Sequence, residues 1–225
     1  MKIRKLKTFL RLLAGGEFRW ILKRLSEALP PGVFYYNRVA ILTLAEHKTF
    51  RRAGGVTLRA AGPEDLSALA DVVGKPAAEF RRRFEEGDLC FIAEAGGAVV
   101  SVEWVRLRKY RLEEVDYAFD PGPRGLFLYD AFTAPEWRLR GLHVNVLQHV
   151  VEWAPARGVE DVFCHITHGN DLSLRTHLRF GFRVAQYITQ VRLLGVGGHR
   201  IKVVYGGKSL WSWNRGADSC SEKHA

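Results

Sequence analysis

The chain has 225 residues, 47% apolar, 26% charged and 12% aromatic, with a formal net charge of +10. Length and composition fit a globular chain of one or two domains and exclude a wholly disordered, collagen-like or low-complexity one. No stretch approaches the ~18–20 apolar residues of a membrane-spanning helix, and three cysteines without CxxC spacing argue against a disulfide framework or a cysteine zinc site.

The basic charge sits at the start. Residues 1–52 carry 12 Lys/Arg against three Asp/Glu, net +9, so the other 173 residues, with 22 against 21, are nearly neutral. Such an arm suits an acidic surface: anionic lipid, an acidic partner, or nucleic acid held without specificity. Ile3, Leu6, Leu10 and Leu13 have helical spacing, and Gly15-Gly16 breaks the run. Phe18, Ile21, Leu22, Leu25 and Leu29 form a second run that Pro30-Pro31-Gly32 stops. The apolar stripe either packs on the following domain or docks to a membrane or partner. Nothing here reads as a secretory signal. Residues 33–44 are β-branched and aromatic and predict one or two strands. A loose domain boundary is expected at Gly54-Gly55.

From there strands and helices alternate. Residues 56–59 predict a strand. Pro63-Glu64-Asp65 opens a helix with proline and acids suited to its first turn, and Pro76 restarts one through Phe84. Residues 89–95 and 98–105 flank Gly96-Gly97, a strong hairpin signal. Residues 108–124 read as a loop that covers a site, 126–133 as a strand, and 142–156 as a helix. A strand at 161–166, a short helix at 171–180 closed by Gly181, and strands at 182–194 and 200–205 follow. The tail from 206 is polar, with disorder expected near 216–225. There is no internal repeat.

Chemistry concentrates in two units. The first is the strand at 126–133 running through Arg138-Leu139-Arg140-Gly141-Leu142-His143 into a helix. A helix N-terminus offers unpaired N–H groups and a favourable dipole to a phosphate. Glycine permits close backbone approach, and arginine has fork geometry suited to phosphate oxygens. The second unit runs from Asn170, a good helix cap, to Gly181-Phe182.

Together these units resemble the GNAT superfamily of acyl-CoA N-acyltransferases. Its first motif is Arg or Gln, two residues, Gly, one residue, then Gly or Ala. Here it reads Arg138, Gly141, His143. Its later segment, Asn-x-x-Ala-x-x-x-Tyr-x-x-x-Gly-Phe, is matched in spacing by Asn170, Ser173, His177, Gly181 and Phe182. The resemblance covers about residues 56–205 and departs where His143 replaces Gly or Ala and His177 replaces the tyrosine that protonates the departing thiolate.

The resemblance implies an α/β (α+β) fold: a mixed, mostly antiparallel central sheet flanked by helices. It divides the chain into a basic extension (1–52) packed on or extending the main domain, an acyltransferase domain (53–205) and a tail (206–225). It implies a cytoplasmic bacterial enzyme, peripheral at the inner face of the membrane if the arm docks there, with acetyl-CoA or another acyl-CoA as co-substrate. The amine would attack the thioester directly. Pantetheine would pair with the strand edge at Phe132-Thr133, whose backbone N–H would also stabilise the oxyanion. Arg138, Leu139, Arg140, Gly141, Leu142 and His143 would hold pyrophosphate, with Asn170 and Ser173 assisting. His177 would serve as the acid, and Asp130 and Glu103 are the candidate bases. Strand alternation forbids Tyr129 and Asp130 from both facing the cleft. No metal is expected, since the histidines lack ligand spacing. The acceptor would be a small-molecule, lipid or sugar amine, and no specific nucleic acid is expected. Residues 1–29 would touch an anionic membrane or an acyl-carrier protein. Two other readings stay open: a non-catalytic CoA-sensing or docking protein, and a transferase whose donor is an acyl-carrier protein or aminoacyl-tRNA.

Overall fold

A computed structural model describes residues 18–204 and 210–214. The helix expected over residues 3–14 and the disorder expected near 216–225 lie outside these. Helix α1 spans Phe18–Ala28 and β1 spans Phe34–Leu44. Then come β2 (Val56–Ala61), α2 (Leu66–Val73), α3 (Ala77–Glu85), β3 (Leu89–Ala95) and β4 (Ala98–Arg106). A short ribbon follows, β5 (Tyr110–Leu112) and β6 (Tyr117–Phe119). The chain continues through β7 (Gly125–Thr133), α4 (Leu142–Trp153), β8 (Asp161–Thr167) and α5 (Asp171–Phe180). It ends in β9 (Phe182–Leu193), β10 (Val196–Val203) and β11 (Leu210–Asn214).

Among the described residues nine strands form one sheet in the order β11-β10-β9-β1-β8-β7-β4-β3-β2. Every pairing is antiparallel except β7 with β8, so the sheet is mixed and mostly antiparallel, as expected. Helices α4 and α5 cover one face through Leu142, Val146, Val150 and Phe180. Helices α2 and α3 cover the other, where Phe80 stacks on the fully buried Trp104 at 5.8 Å.

The structure places one expected strand, and two other elements differ from the sequence reading. Residues 34–44 form one strand, and it lies inside the sheet between β8 and β9. Its side chains explain the position: Val39 and Ile41 pack on the α2–α3 face, Ala40 and Leu42 on the α4–α5 face. A strand apolar on both faces needs a neighbour on each side and cover above and below. The sheet therefore extends across the boundary expected at residues 54–55. Residues 108–124 are not an open loop. Tyr110 stacks on Phe127 at 4.8 Å, Phe119 packs on Phe163, and Leu112 and Val115 are fully buried, so the ribbon is pinned to the α2–α3 face. Within the expected tail, residues 210–214 pair with β10.

Helix α1 buries only Ile21 and leaves Phe18, Trp20 and Leu25 exposed, as is Leu29 just beyond its end. Among the described residues no helix is long and apolar enough to cross a membrane.

Gly181 closes α5 at φ +123, and its carbonyl accepts from the N–H groups of Ala45 and Glu46. A Cβ there would lie 1.6 Å from the Glu46 carbonyl oxygen. The end of β1 is thus tied to the end of α5. Because β8 and β9 both depend on β1 for pairing, deleting residues 1–44 should abolish cooperative thermal unfolding followed by circular dichroism. A sharp transition near that of the intact chain would refute the placement of β1.

Candidate active site

Strands β7 and β8 run in register over only four pairs, from Gly125–Asp161 to Leu128–Cys164. Beyond Leu128 they part. The cause lies on the opposite edge of β7, where the register with β4 slips between Val102 and Trp104. Two residues, Asp130 and Ala131, stand opposite the single residue Glu103, and Asp130 takes the left-handed conformation at φ +53. A bulge of this kind bends its strand. The bent end is held on the β4 side, with Ser101 Oγ 2.8 Å from Thr133 Oγ1 and the Ala134 N–H donating to the Val100 carbonyl. Its edge toward β8 is unpaired at Phe132 and Thr133 among the described residues.

The chain then turns through Leu139 (φ +63) and Gly141 (φ +80) into α4. Two left-handed residues around Arg140 turn successive amides to one side, which makes an anion-binding concavity at the α4 N-terminus. Nothing lies within 4 Å of where a Gly141 Cβ would stand, so the cradle is open. Arg138 Nε donates to the Thr133 carbonyl at 3.1 Å, and Arg140 stacks over Trp137. A groove of about 950 Å³ opens here. Phe132, Thr133, Arg138, Leu139, Gly141, Leu142 and His143 line one side, and Asn170 and Ser173 of α5 line the other. Arg140 is exposed beside it. Phe50, Trp137, Leu172, Thr176 and Arg179 also line it, and the sequence reading did not single them out as site residues. Thr176 and Arg179 were findable, since helical steps of three from Ser173 share its face. Phe50 arrives from a segment with no pattern of its own.

The sheet separates the acid–base candidates. Tyr129 and Asp130 both meet Arg83, Tyr129 with its ring and Asp130 through a 2.5 Å ion pair. Both therefore lie toward α2 and α3, against the expected alternation, because the bulge inserts a residue between them and the regular strand. Lys75 also pairs with Asp130 at 3.0 Å. Burial would raise the Asp130 carboxyl, but Arg83 and Lys75 outweigh it and hold it below the usual range.

Glu103 points to the other face, is 2% exposed, and has Oε2 3.4 Å from His143 Nδ1 without a hydrogen-bond partner. Burial, with a smaller contribution from Asp130, pushes this carboxyl well up, into its neutral form. His143 and His177 have ring centroids 5.3 Å apart. His177 is only 4% exposed and lies behind His143, which reaches the groove wall. Burial lowers both histidines; His177 adds to the effect on His143, and the Ser173 carbonyl partly opposes it at His177. His177 Nδ1 lies 2.9 Å from that carbonyl. A carbonyl only accepts, so Nδ1 carries the hydrogen and the lone pair is at Nε2. Cys164, on the same face, is buried and its thiol is pushed well up, so it is no nucleophile.

The central sheet is thus forced open beside an amide-lined helix start, and both face one groove. The model of the acetyltransferase (GNAT) family matches residues 63–182, more than half the chain, and the protein belongs to that family. A Pseudomonas aeruginosa protein named L-methionine sulfoximine/L-methionine sulfone acetyltransferase is 33% identical over 70 residues, which is 31% of this chain and 41% of that protein. This chain thus matches less than half the length of that relative. Among solved structures, a GNAT-family acetyltransferase from Colwellia psychrerythraea aligns at TM-score 0.54 and 18% identity, over 72% of this chain and 57% of that one. A GNAT-family protein from Novosphingobium aromaticivorans aligns at 0.52 and 18%, over 71% and 66%. These likenesses are of fold.

The tautomer assignment has a direct check. Imidazole nitrogen shifts should show His143 and His177 still neutral at pH 6.5, the ordinary histidine midpoint, with His177 protonated at Nδ1. An imidazolium signal at that pH would contradict the packing.

Proposed function

We propose that the protein is an acyl-CoA-dependent N-acyltransferase, most simply an N-acetyltransferase, that joins an amine to the acyl group in a ternary complex. The observation that carries this reading is the unpaired β7 edge at Phe132-Thr133 leading directly into the open cradle at Gly141. Pantetheine amides pair with that edge as an added strand would. The amides of residues 139–143, with the Arg138 and Arg140 side chains, take the pyrophosphate, and Asn170 and Ser173 hold the thioester arm from α5. The N–H groups at Phe132-Thr133 receive the developing oxyanion.

The neutral histidines move the proton. The amine nitrogen forms its bond to the thioester carbon and gives up a proton to the imidazole pair at His143 and His177. The carbon–sulfur bond then breaks, and the same proton passes to the thiolate. Glu103, neutral through burial, lies with Oε2 3.4 Å from His143 Nδ1 and holds the ring in place by packing. Asp130, held ionised by two cations, orders the α2–α3 corner. A tyrosine would supply only the acid half of this sequence at neutral pH, whereas imidazole serves both halves. The P. aeruginosa relative's name makes amino-acid-like amines the first acceptors to screen.

Gly141→Asp should abolish binding of acetyl-CoA and desulfo-CoA in calorimetric titration while leaving the circular dichroism unchanged. Unaltered affinity would sink the cradle assignment. His143→Ala and His177→Ala should each lower kcat by roughly 10²-fold, with CoA affinity changed only a few-fold. Because burial lowers both pKa values, the wild-type kcat should fall only below the ordinary imidazole range, as acid converts the pair to imidazolium. Binding of CoA with no turnover of any amine would favour the CoA-sensing reading, and absence of CoA binding in folded protein would favour a carrier-borne donor.

A further inference from the structure

A second, smaller cavity of about 130 Å³ lies at the N-terminus of α5, lined in part by Arg38, His168, Asn170, Asp171 and Tyr187. Asn170 borders both this cavity and the large groove. Arg38 is 9% exposed and its guanidinium lies 3.9 Å from the Tyr187 ring centroid. Its buried Nε has no hydrogen-bond partner, and among the described residues Arg38 makes no ion pair. The buried Nε2 of His168 also lacks a partner. Lys23 of α1 closes the rim by donating to the His168 carbonyl, and Arg19 is close enough to disfavour charge on both Arg38 and His168.

A buried guanidinium normally carries a carboxylate with it, because an unpaired buried charge is costly. Among the described residues three fixed cations, Arg19, Lys23 and Arg38, gather here with a single acid, Asp171. The ten-residue helix α5 adds its N-terminal amides and dipole. The shortfall is about two negative charges in a space far smaller than the ~300–1,000 Å³ of a typical ligand pocket. A carboxylate supplies one charge. A phosphate monoester supplies about 1.5 to 2, with acceptor oxygens for a guanidinium fork and helix amides.

We infer that this cavity is a phosphate-binding site, separate from the pyrophosphate cradle and built by α1 and β1 against the start of α5. Arg38 supplies the fork, the α5 amides supply further donors, and Lys23 closes the rim. Arg19, Lys23 and Arg38 lie outside the family-matched residues 63–182, so the basic extension of this chain supplies the site's fixed cations and the family-matched part supplies the start of α5. The phosphate is either the 3′-phosphate of CoA folded around α5 or that of a separate ligand.

The test is titration of inorganic phosphate into the full chain, read by calorimetry and Tm, with chloride at matched ionic strength as control. Wild type should bind saturably. Arg38→Gln and the more exposed Lys23→Gln should each weaken binding at least tenfold, while Gly141→Asp, which removes the cradle, should retain it. Displacement of phosphate by CoA but not by 3′-dephospho-CoA would assign the site to CoA's own 3′-phosphate; displacement by neither would assign it to a separate ligand. The inference fails if folded wild type takes up no phosphate saturably. It also fails if Gly141→Asp abolishes uptake and Arg38→Gln and Lys23→Gln leave it intact. The cradle assignment fails independently, through CoA binding that survives in Gly141→Asp.

Discussion

Everything at the site follows from one extra residue in β7. A regular strand would continue its pairing with β8, and the sheet would present no main-chain donors. With Asp130 in the left-handed conformation the strand bends, its β4 side stays bonded, and its β8 side opens. Lys75 and Arg83 reward the unusual backbone by pairing with the Asp130 carboxylate. The strain of a non-glycine residue at positive φ, of order 1–3 kcal/mol, is thus set against two ion pairs, one to a guanidinium that is itself 8% exposed.

The opened sheet also acts as a partition. On the α2–α3 side the charges are paired: Asp130 with Arg83 and Lys75, and Asp88 with Arg106. On the α4 side the titratable groups are held neutral by burial, namely Glu103, His143 and His177. One side is polar and fixed by ion pairs, and the other carries its titratable groups without net charge. The two departures from the family pattern, His143 and His177, are neighbours in space, so they read as one change rather than two.

Much of this was legible in the chain. Gly96-Gly97 announced a hairpin, Arg138 through His143 announced a helix start, which opens on the groove, and the spacing from Asn170 to Gly181 placed α5 beside it. What was hidden is non-local. The period-2 rule put Tyr129 and Asp130 on opposite faces, and only the slipped register with β4 overrides it. The polar look of residues 108–124 masked Tyr110, Leu112, Val115 and Phe119, which find their apolar partners on strands far along the chain. Nor could the sequence say where β1 pairs, because a strand apolar on both faces over residues 39–42 fits anywhere both faces are covered. The contact between His143 and Glu103 likewise joins two elements whose spacing carries no signal.

The position of β1 has a consequence for how the molecule is made. Its partners, Thr167 to Phe163 on one side and Phe182 to Leu193 on the other, lie more than a hundred residues downstream. During synthesis this strand of 11 residues leaves the ribosome more than a hundred residues before the strands it pairs with. Pairings this distant in sequence slow folding and prolong the exposure of an unpaired strand. The basic residues preceding β1 then have a use that precedes any ligand: like charges flanking an unpaired apolar strand keep nascent copies from pairing with one another.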